Sequence, residues 1–277
     1  MRLIAFGGDE RMTGALEAAR RAGWDTQHIR TEEDAVDTGA ADAALLPWPH
    51  SFREGYLTGT TLSKARTLEL LPVCGWLVHG SGVSAQEAPM ARHTLEPSQD
   101  EAFLRANAKL TAEGAIARAM QRPGKALLGA TVLITGFGRI AQELALRLTA
   151  MEAFVIVCAR NEMQMRRAHK IGAHPVPIGE IASACAQADV VFNTVPARIL
   201  HERALSAMRR DALVIELASA PYGVDMELAA RMGIQVCVES GLPGRYAPLD
   251  AGAALFDALA RAMMRTENGQ KGGNADG

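Results

Sequence analysis

The sequence predicts an α/β fold of two parallel-sheet domains, and three observations carry that expectation. Apolar strand-like runs alternate with helical stretches in both halves of the chain, a glycine-rich turn joins a strand to a helix near the midpoint, and a long helical segment separates the halves. A length of 277 residues exceeds one average domain and suffices for two buried cores.

In the first half, "RLIAFG" (2–7), "WDTQHI" (24–29), "AALLPW" (43–48) and "VCGWLVH" (73–79) read as strands, with helical stretches at 10–22 and 61–71. Such alternation implies a parallel sheet covered on both faces. From Pro97 the chain turns helical through "SQDEAFLRANAKLTAEGAIARAMQR". Ser98 is the expected N-cap, with Glu101 completing a capping box, and the helix is expected to cross between domains. After the "PGK" breaker at 123–125, strands are expected near 131–135, 154–158, 175–177, 189–194, 212–217 and 234–238. The expected domains are 1–118 and 124–243, with a last helix at 250–266 packing back on the first. The polar, glycine-rich stretch 267–277 is expected to be a disordered tail.

Composition narrows the function classes. A net charge of −2 with 48% hydrophobic and 22% charged residues gives no electrostatic footprint for nucleic acid or an anionic membrane. No apolar run approaches the roughly 18 residues of a membrane span, and the apolar stretch near Met1 is too short for a secretory signal, so a cytoplasmic location is expected. Cys74, Cys158, Cys185 and Cys237 lack metal-ligand spacing and read as buried, reduced thiols.

The strongest chemical signal is "TVLITGFGRIA", a β-branched strand running into Gly136, Gly138 and Ala141 in the pattern GxGxxA. Gly136 suits a tight turn, Gly138 lets backbone N–H groups approach a pyrophosphate, and Ala141 lets the helix lie close to the sheet. With Phe137, Arg139 and Ile140 these residues form a candidate dinucleotide site; the plainer alternative is a corner turned by glycines. The next strand ends on Arg160 and Asn161, where NAD sites usually carry an acid for the ribose 2′-hydroxyl. An arginine there pairs instead with a 2′-phosphate, which points to NADP with NAD as the alternative cofactor, and Arg166 or Arg167 could add charge. Two further strand ends, at Asn193, Thr194, Val195 and Pro196 and at Ala218 and Ser219, fall where the nicotinamide half belongs.

Several motifs resemble those of one of the two proteins of dipicolinate synthase, the A subunit of the spore-former enzyme that makes pyridine-2,6-dicarboxylate: "AFGGDER" (5–11), "NAKLTAEG" (107–114), "GFGRIAQELA" (136–145), "NTVPARIL" (193–200), "ELASAPYGVD" (216–225) and "SGLPGRYAPLDAG" (240–252). The resemblance implies a flavodoxin-like N-terminal domain, a Rossmann NAD(P)-binding domain, and NADP-linked oxidation of dihydrodipicolinate, a small dicarboxylate, during sporulation. It also implies, as partner, a flavoprotein-like B subunit, and a homo-oligomer is expected. Tyr222 and Leu249 depart from the family pattern, which has glycine and commonly lysine there.

Matching the motifs gives Asn107, Thr111, Glu113 and Arg245 as the catalytic candidates, with Asp9, Arg11, Pro243 and Gly244 beside them, in a cleft expected between the domains. Asn107 and Thr111, four apart on a helix, share a face, whereas Thr111 and Glu113 do not. His79 and Ser81 in "HGSGVS" follow a strand and are further candidates. A 2-hydroxyacid dehydrogenase shares the layout, but its chemistry needs an arginine where this chain has Ala220 and a late histidine, and no histidine follows His201. The third reading is a non-catalytic NADP-binding sensor.

Overall fold

The computed structural model describes residues 1–35, 38–122 and 124–272. The chain divides into two compact units, Met1–Asn107 with the segment from Pro243 onward, and Ala108–Leu242.

Unit 1 contains β1 (Arg2–Phe6), α1 (Glu10–Arg21), β2 (Asp25–Ile29), β3 (Ala41–Leu45), the hairpin β4 (Phe52–Arg53) and β5 (Tyr56–Leu57), α2 (Lys64–Leu70), β6 (Cys74–Val78), β7 (Ala91–Leu95) and the start of α3 (Glu101–Met120). Its parallel sheet has the order β2-β1-β3-β6-β7. Counting only the sheet strands, that is 2-1-3-4-5, the flavodoxin-like order. Alternation along the strands splits the core between two faces. Leu3, Ala5, Ala43 and Leu45 point to the α1 side, and Ile4, Phe6, Ala44 and Leu46 to the other.

Unit 2 holds the rest of α3, then β8 (Thr131–Thr135), α4 (Arg139–Ala150), β9 (Phe154–Ala159), α5 (Glu162–Lys170), β10 (His174–Pro177), α6 (Ile181–Gln187), β11 (Val190–Asn193), α7 (Glu202–Ala207), β12 (Leu213–Glu216), α8 (Met226–Arg231) and β13 (Gln235–Val238). The order β10-β9-β8-β11-β12-β13, all parallel, is 3-2-1-4-5-6 in strand sequence, the dinucleotide-binding arrangement. Val132 and Ile134 pack on the α3 and α4 side with Val155, Val157 and Phe192, while Leu133 faces Val191 and Val214 on the α6 side. The α/β class with a flavodoxin-like and a Rossmann sheet is therefore as the sequence indicated.

A short α9 (Leu242–Tyr246) precedes α10 (Pro248–Gly272), which packs on α1 with Ala254, Leu255, Ala258 and Leu259 buried. The helices approach so closely that a Cβ on Gly252 would lie 2.6 Å from the Ala15 nitrogen. Trp24 meets the Phe256 ring edge-on at 5.4 Å.

Four expectations are corrected. Asp100, not Ser98, caps α3: its carboxylate accepts from Phe103 N–H at 3.0 Å, while the Ser98 hydroxyl donates to Glu96. The boundary between the units falls inside α3, between Asn107 and Ala108, because Ala112, Ala115, Ile116 and Ala119 pack into the core of unit 2. The last helix runs to Gly272, past the expected limit of 266, since an established helix propagates through polar residues at one hydrogen bond per residue. Strand β7 and the hairpin have no counterpart among the expected elements. Pro123 of the breaker and 273–277 of the expected tail lie outside the described residues.

Candidate functional site

The site in unit 2 starts from the turn between β8 and α4. Gly136 has φ +79°, a left-handed conformation that favours glycine, and a Cβ there would also lie 2.7 Å from Val195 Cγ2. A Cβ on Gly138 would meet nothing within 4 Å, so internal packing does not explain that glycine. Gly138 is the N-cap of α4, a 12-residue helix, and offers no side-chain cap to it.

Beside this turn lies a cavity of about 250 Å³. Gly136, Phe137, Gly138, Arg160, Thr194, Val195 and Pro196 line it, as expected candidates brought together from three strand ends. Sequence reasoning missed Cys158, Gln164, Ile178, Ala197 and Ile199 in the same lining. Gln164 sits one turn into α5, a position the capping pattern at Asn161 could have disclosed. Ile178 comes from the end of β10, which only the sheet order brings near.

The other cofactor candidates fall outside the lining. Asn161 is the N-cap of α5 and accepts from Gln164 N–H at 2.9 Å. Arg166 pairs with Glu162 at 2.8 Å. Arg139 is exposed, and Ile140 packs against the core of unit 2. Ser219 is exposed.

Asn193 is fully buried and works inside the protein. Strand register sets Thr135, Asn193 and Glu216 side by side at the ends of β8, β11 and β12. The Thr135 hydroxyl donates to Asn193 Oδ1 at 2.5 Å, and Asn193 Nδ2 donates to Glu216 Oε1 at 2.6 Å and to the Val195 carbonyl at 3.0 Å. Glu216, also fully buried, accepts from the N–H groups of Ala218, Gly223 and Val224 at 2.9, 3.0 and 3.1 Å. Burial pushes its carboxyl above the ordinary range, against the opposing pull of those four donors.

Unit 1 carries other candidates. Asp9 caps α1 and binds Arg11 through two bonds of 2.8 Å, to Nε and Nη2. Burial raises the Asp9 carboxyl, but Arg11 holds it below its usual value overall. A Cβ on Gly244 would lie 3.0 Å from Arg11 Nε, so the GGDER and GLPGR motifs meet in space. Arg245 is exposed on α9. His79 is buried with Nδ1 2.9 Å from the Gly80 carbonyl, and Ser81 lies 2.6 Å from Nδ1 of His50, a partner the sequence did not disclose.

On α3, Asn107 is half-buried and Thr111 buried. Glu113 is exposed and paired with Arg147 of α4 at 3.4 Å, so it belongs to a surface ion pair between helices. Among the described residues no group of His, Cys, Asp and Glu side chains is placed to hold a metal, and no helix is long and apolar enough to cross a membrane.

Comparison with known proteins agrees with this geometry. The family model for the D-isomer specific 2-hydroxyacid dehydrogenase, NAD binding domain, matches residues 101–232. Fold and site thus define a chain with a nicotinamide-dinucleotide-binding domain over residues 101–232. More particularly, the chain is similar to the A subunit of dipicolinate synthase. It is 33% identical to that protein of Bacillus subtilis (strain 168) over 162 residues, which span 58% of this chain and 54% of the relative, about half its length. The crystal structure of the dipicolinate synthase A subunit from Bacillus halodurans superposes with a TM-score of 0.81 at 27% identity, covering 94% of this chain and 97% of the other. Its counterpart from Bacillus subtilis gives 0.80 at 25% identity, covering 97% of each. The likeness first read from the motifs is borne out.

Proposed function

We propose that this chain catalyses the NADP-linked oxidation of dihydrodipicolinate to dipicolinate, as the A-type component of a cytoplasmic enzyme with a flavoprotein-like B subunit. The observation that carries the cofactor assignment is Arg160, which follows β9 and lines the same cavity as Gly136 and Gly138. The residues present suit a dinucleotide: open space at Gly138, a start of α4 with no side-chain cap, and a wall of Thr194, Val195, Pro196, Ala197 and Ile199.

When bound, the nicotinamide would supply the hydride acceptor for the reaction. In this reading the first N–H groups of α4 would hold the pyrophosphate, and the Arg160 guanidinium would pair with a 2′-phosphate. Thr194, Val195 and Pro196 would shield the nicotinamide half from water. On the substrate side, Arg245 of α9 is assigned a carboxylate, and Asn107 and Thr111, which share a face of α3, are assigned polar contacts, each within its own unit. Juxtaposition of the GGDER and GLPGR motifs within unit 1 supports the assignment of Arg245.

The family match favours, as a second reading, oxidation of a 2-hydroxyacid. Ala220 and the lack of any histidine after His201 speak against it, because the arginine and the acid/base of that chemistry have no counterpart. One assay separates these readings and the sensor alternative. Purified chain is mixed with the flavoprotein-like subunit, NADP and dihydrodipicolinate, and absorbance of reduced nicotinamide is followed. Turnover is expected; turnover only with a 2-hydroxyacid, or cofactor binding without turnover, would overturn the proposal.

A further inference from the structure

Glu216 shows no surface to solvent, yet it stands beside Asn193 in the strand register and reaches the cavity wall through it. The direction of every hydrogen bond in this chain of groups follows from the chemistry of its first member. Both Glu216 oxygens accept from backbone N–H groups, and with Glu216 as acceptor Asn193 turns its Nδ2 toward it and its Oδ1 away. That Oδ1 then takes the Thr135 hydroxyl proton and the Val195 N–H, the latter at 3.3 Å. With its proton spent, the Thr135 oxygen accepts from the Thr194 N–H at 3.3 Å, and the Thr194 hydroxyl donates to the Thr135 carbonyl at 2.7 Å. Thr194 and Val195 both line the cavity.

The second carboxylate oxygen fixes the neighbouring loop. It accepts from Gly223 and Val224, and a Cβ on Gly223 would lie 2.6 Å from the Val195 carbonyl. One buried acid therefore ties two loops to each other and to the end of β8.

We propose that Glu216 is a positioning residue for the dinucleotide: without touching the cavity, it sets the donor and acceptor pattern that holds Thr194 and Val195 in the cavity wall. This inference rests on reading the cavity as the dinucleotide site. Burial of the acid, with its raised titration, is the cost expected of a group retained for the geometry it imposes.

The test titrates NADP and NAD into the native protein, Glu216→Gln, Thr135→Val and the double variant Asn193→Asp with Glu216→Gln, following thermal unfolding of each. In Glu216→Gln one acceptor becomes a donor facing N–H groups, and dinucleotide affinity should fall about tenfold. In the double variant the amide of residue 216 can donate to the carboxylate at 193, but a carboxylate oxygen then faces the Val195 carbonyl, so the loss should persist. Thr135→Val removes one link and should weaken binding about threefold; it carries the test alone if Glu216→Gln does not fold. Folded Glu216→Gln and Thr135→Val that bind as tightly as the native protein, with only the unfolding temperature lowered, would overturn the inference. Native protein that binds neither dinucleotide would overturn the dinucleotide reading itself, a failure visible before any substitution is made.

Discussion

Arg261 of α10 donates through Nε to the Asp100 carboxylate at 3.2 Å, joining the last helix to the first turn of α3. Asp100 also caps α3, so removing it strips a cap and leaves a guanidinium without its carboxylate. Asp100→Ala should cost about 2 to 3 kcal/mol, summing a cap and part of a charge-assisted bond. Burial pushes the Asp100 carboxyl up, but the Phe103 N–H and Arg261 outweigh it and hold the group below its usual value. A depressed carboxylate contributes stability above its unfolded pKa of about 3.9 and loses it as pH falls through the folded value. Denaturant unfolding at pH 7 and pH 3 checks this: the gap between native and Asp100→Ala should narrow at pH 3, and a constant gap would contradict it.

The thiols should differ in reactivity. Burial pushes Cys74 up to about 11 and both Cys158 and Cys185 up to about 12, so little thiolate exists at neutral pH. Cys237 is half-buried, with its sulfur 2.9 Å from Arg118 Nη2. An alkylating reagent at pH 7.5, read by mass spectrometry, should mark Cys237 first and the other three only on unfolding. Early labelling of Cys158 would show that the cavity wall opens.

Arg245 supplies a test of the substrate side. Arg245→Ala should raise KM for the dicarboxylate about 10- to 100-fold, the equivalent of about 1.5 to 3 kcal/mol, because one charge-assisted bond is lost. Its cofactor affinity should not change. A native KM would remove Arg245 from the site.

Legibility of the fold tracked how local each signal was. The β-branched run into GxGxxA marked β8, the turn and α4 because strand pattern, turn glycine and helix start are all adjacent in sequence. Strand β7 was missed because Arg92 and His93 make an edge strand look like a loop, and β4 and β5 are two residues each. Ser98 looked like the cap because a capping box can be read from spacing, while the cap Asp100 forms depends on where the helix axis starts. The strand end makes Asn193 a cofactor candidate in the sequence; the pairing of β11 with β8 and β12, which places Thr135 and Glu216 beside it, is visible only in the fold. The pairing of Glu113 with Arg147 is equally invisible in the sequence, because the partner lies on another helix.

In the proposed function, Arg160 selects NADP over NAD. No acid stands at 158–161 to bind a free 2′-hydroxyl, and the nearest one in sequence, Glu162, is paired with Arg166. Titrating NADP and NAD into the native protein and into Arg160→Asp measures the claim directly. A charge-assisted pair worth about 1.5 to 3 kcal/mol predicts that the native protein binds NADP about 10- to 100-fold tighter than NAD. The substitution removes the cation and sets a carboxylate against the phosphate, so the preference should reverse to NAD. Native protein that prefers NAD, or a mutant that keeps the native preference, would contradict the account.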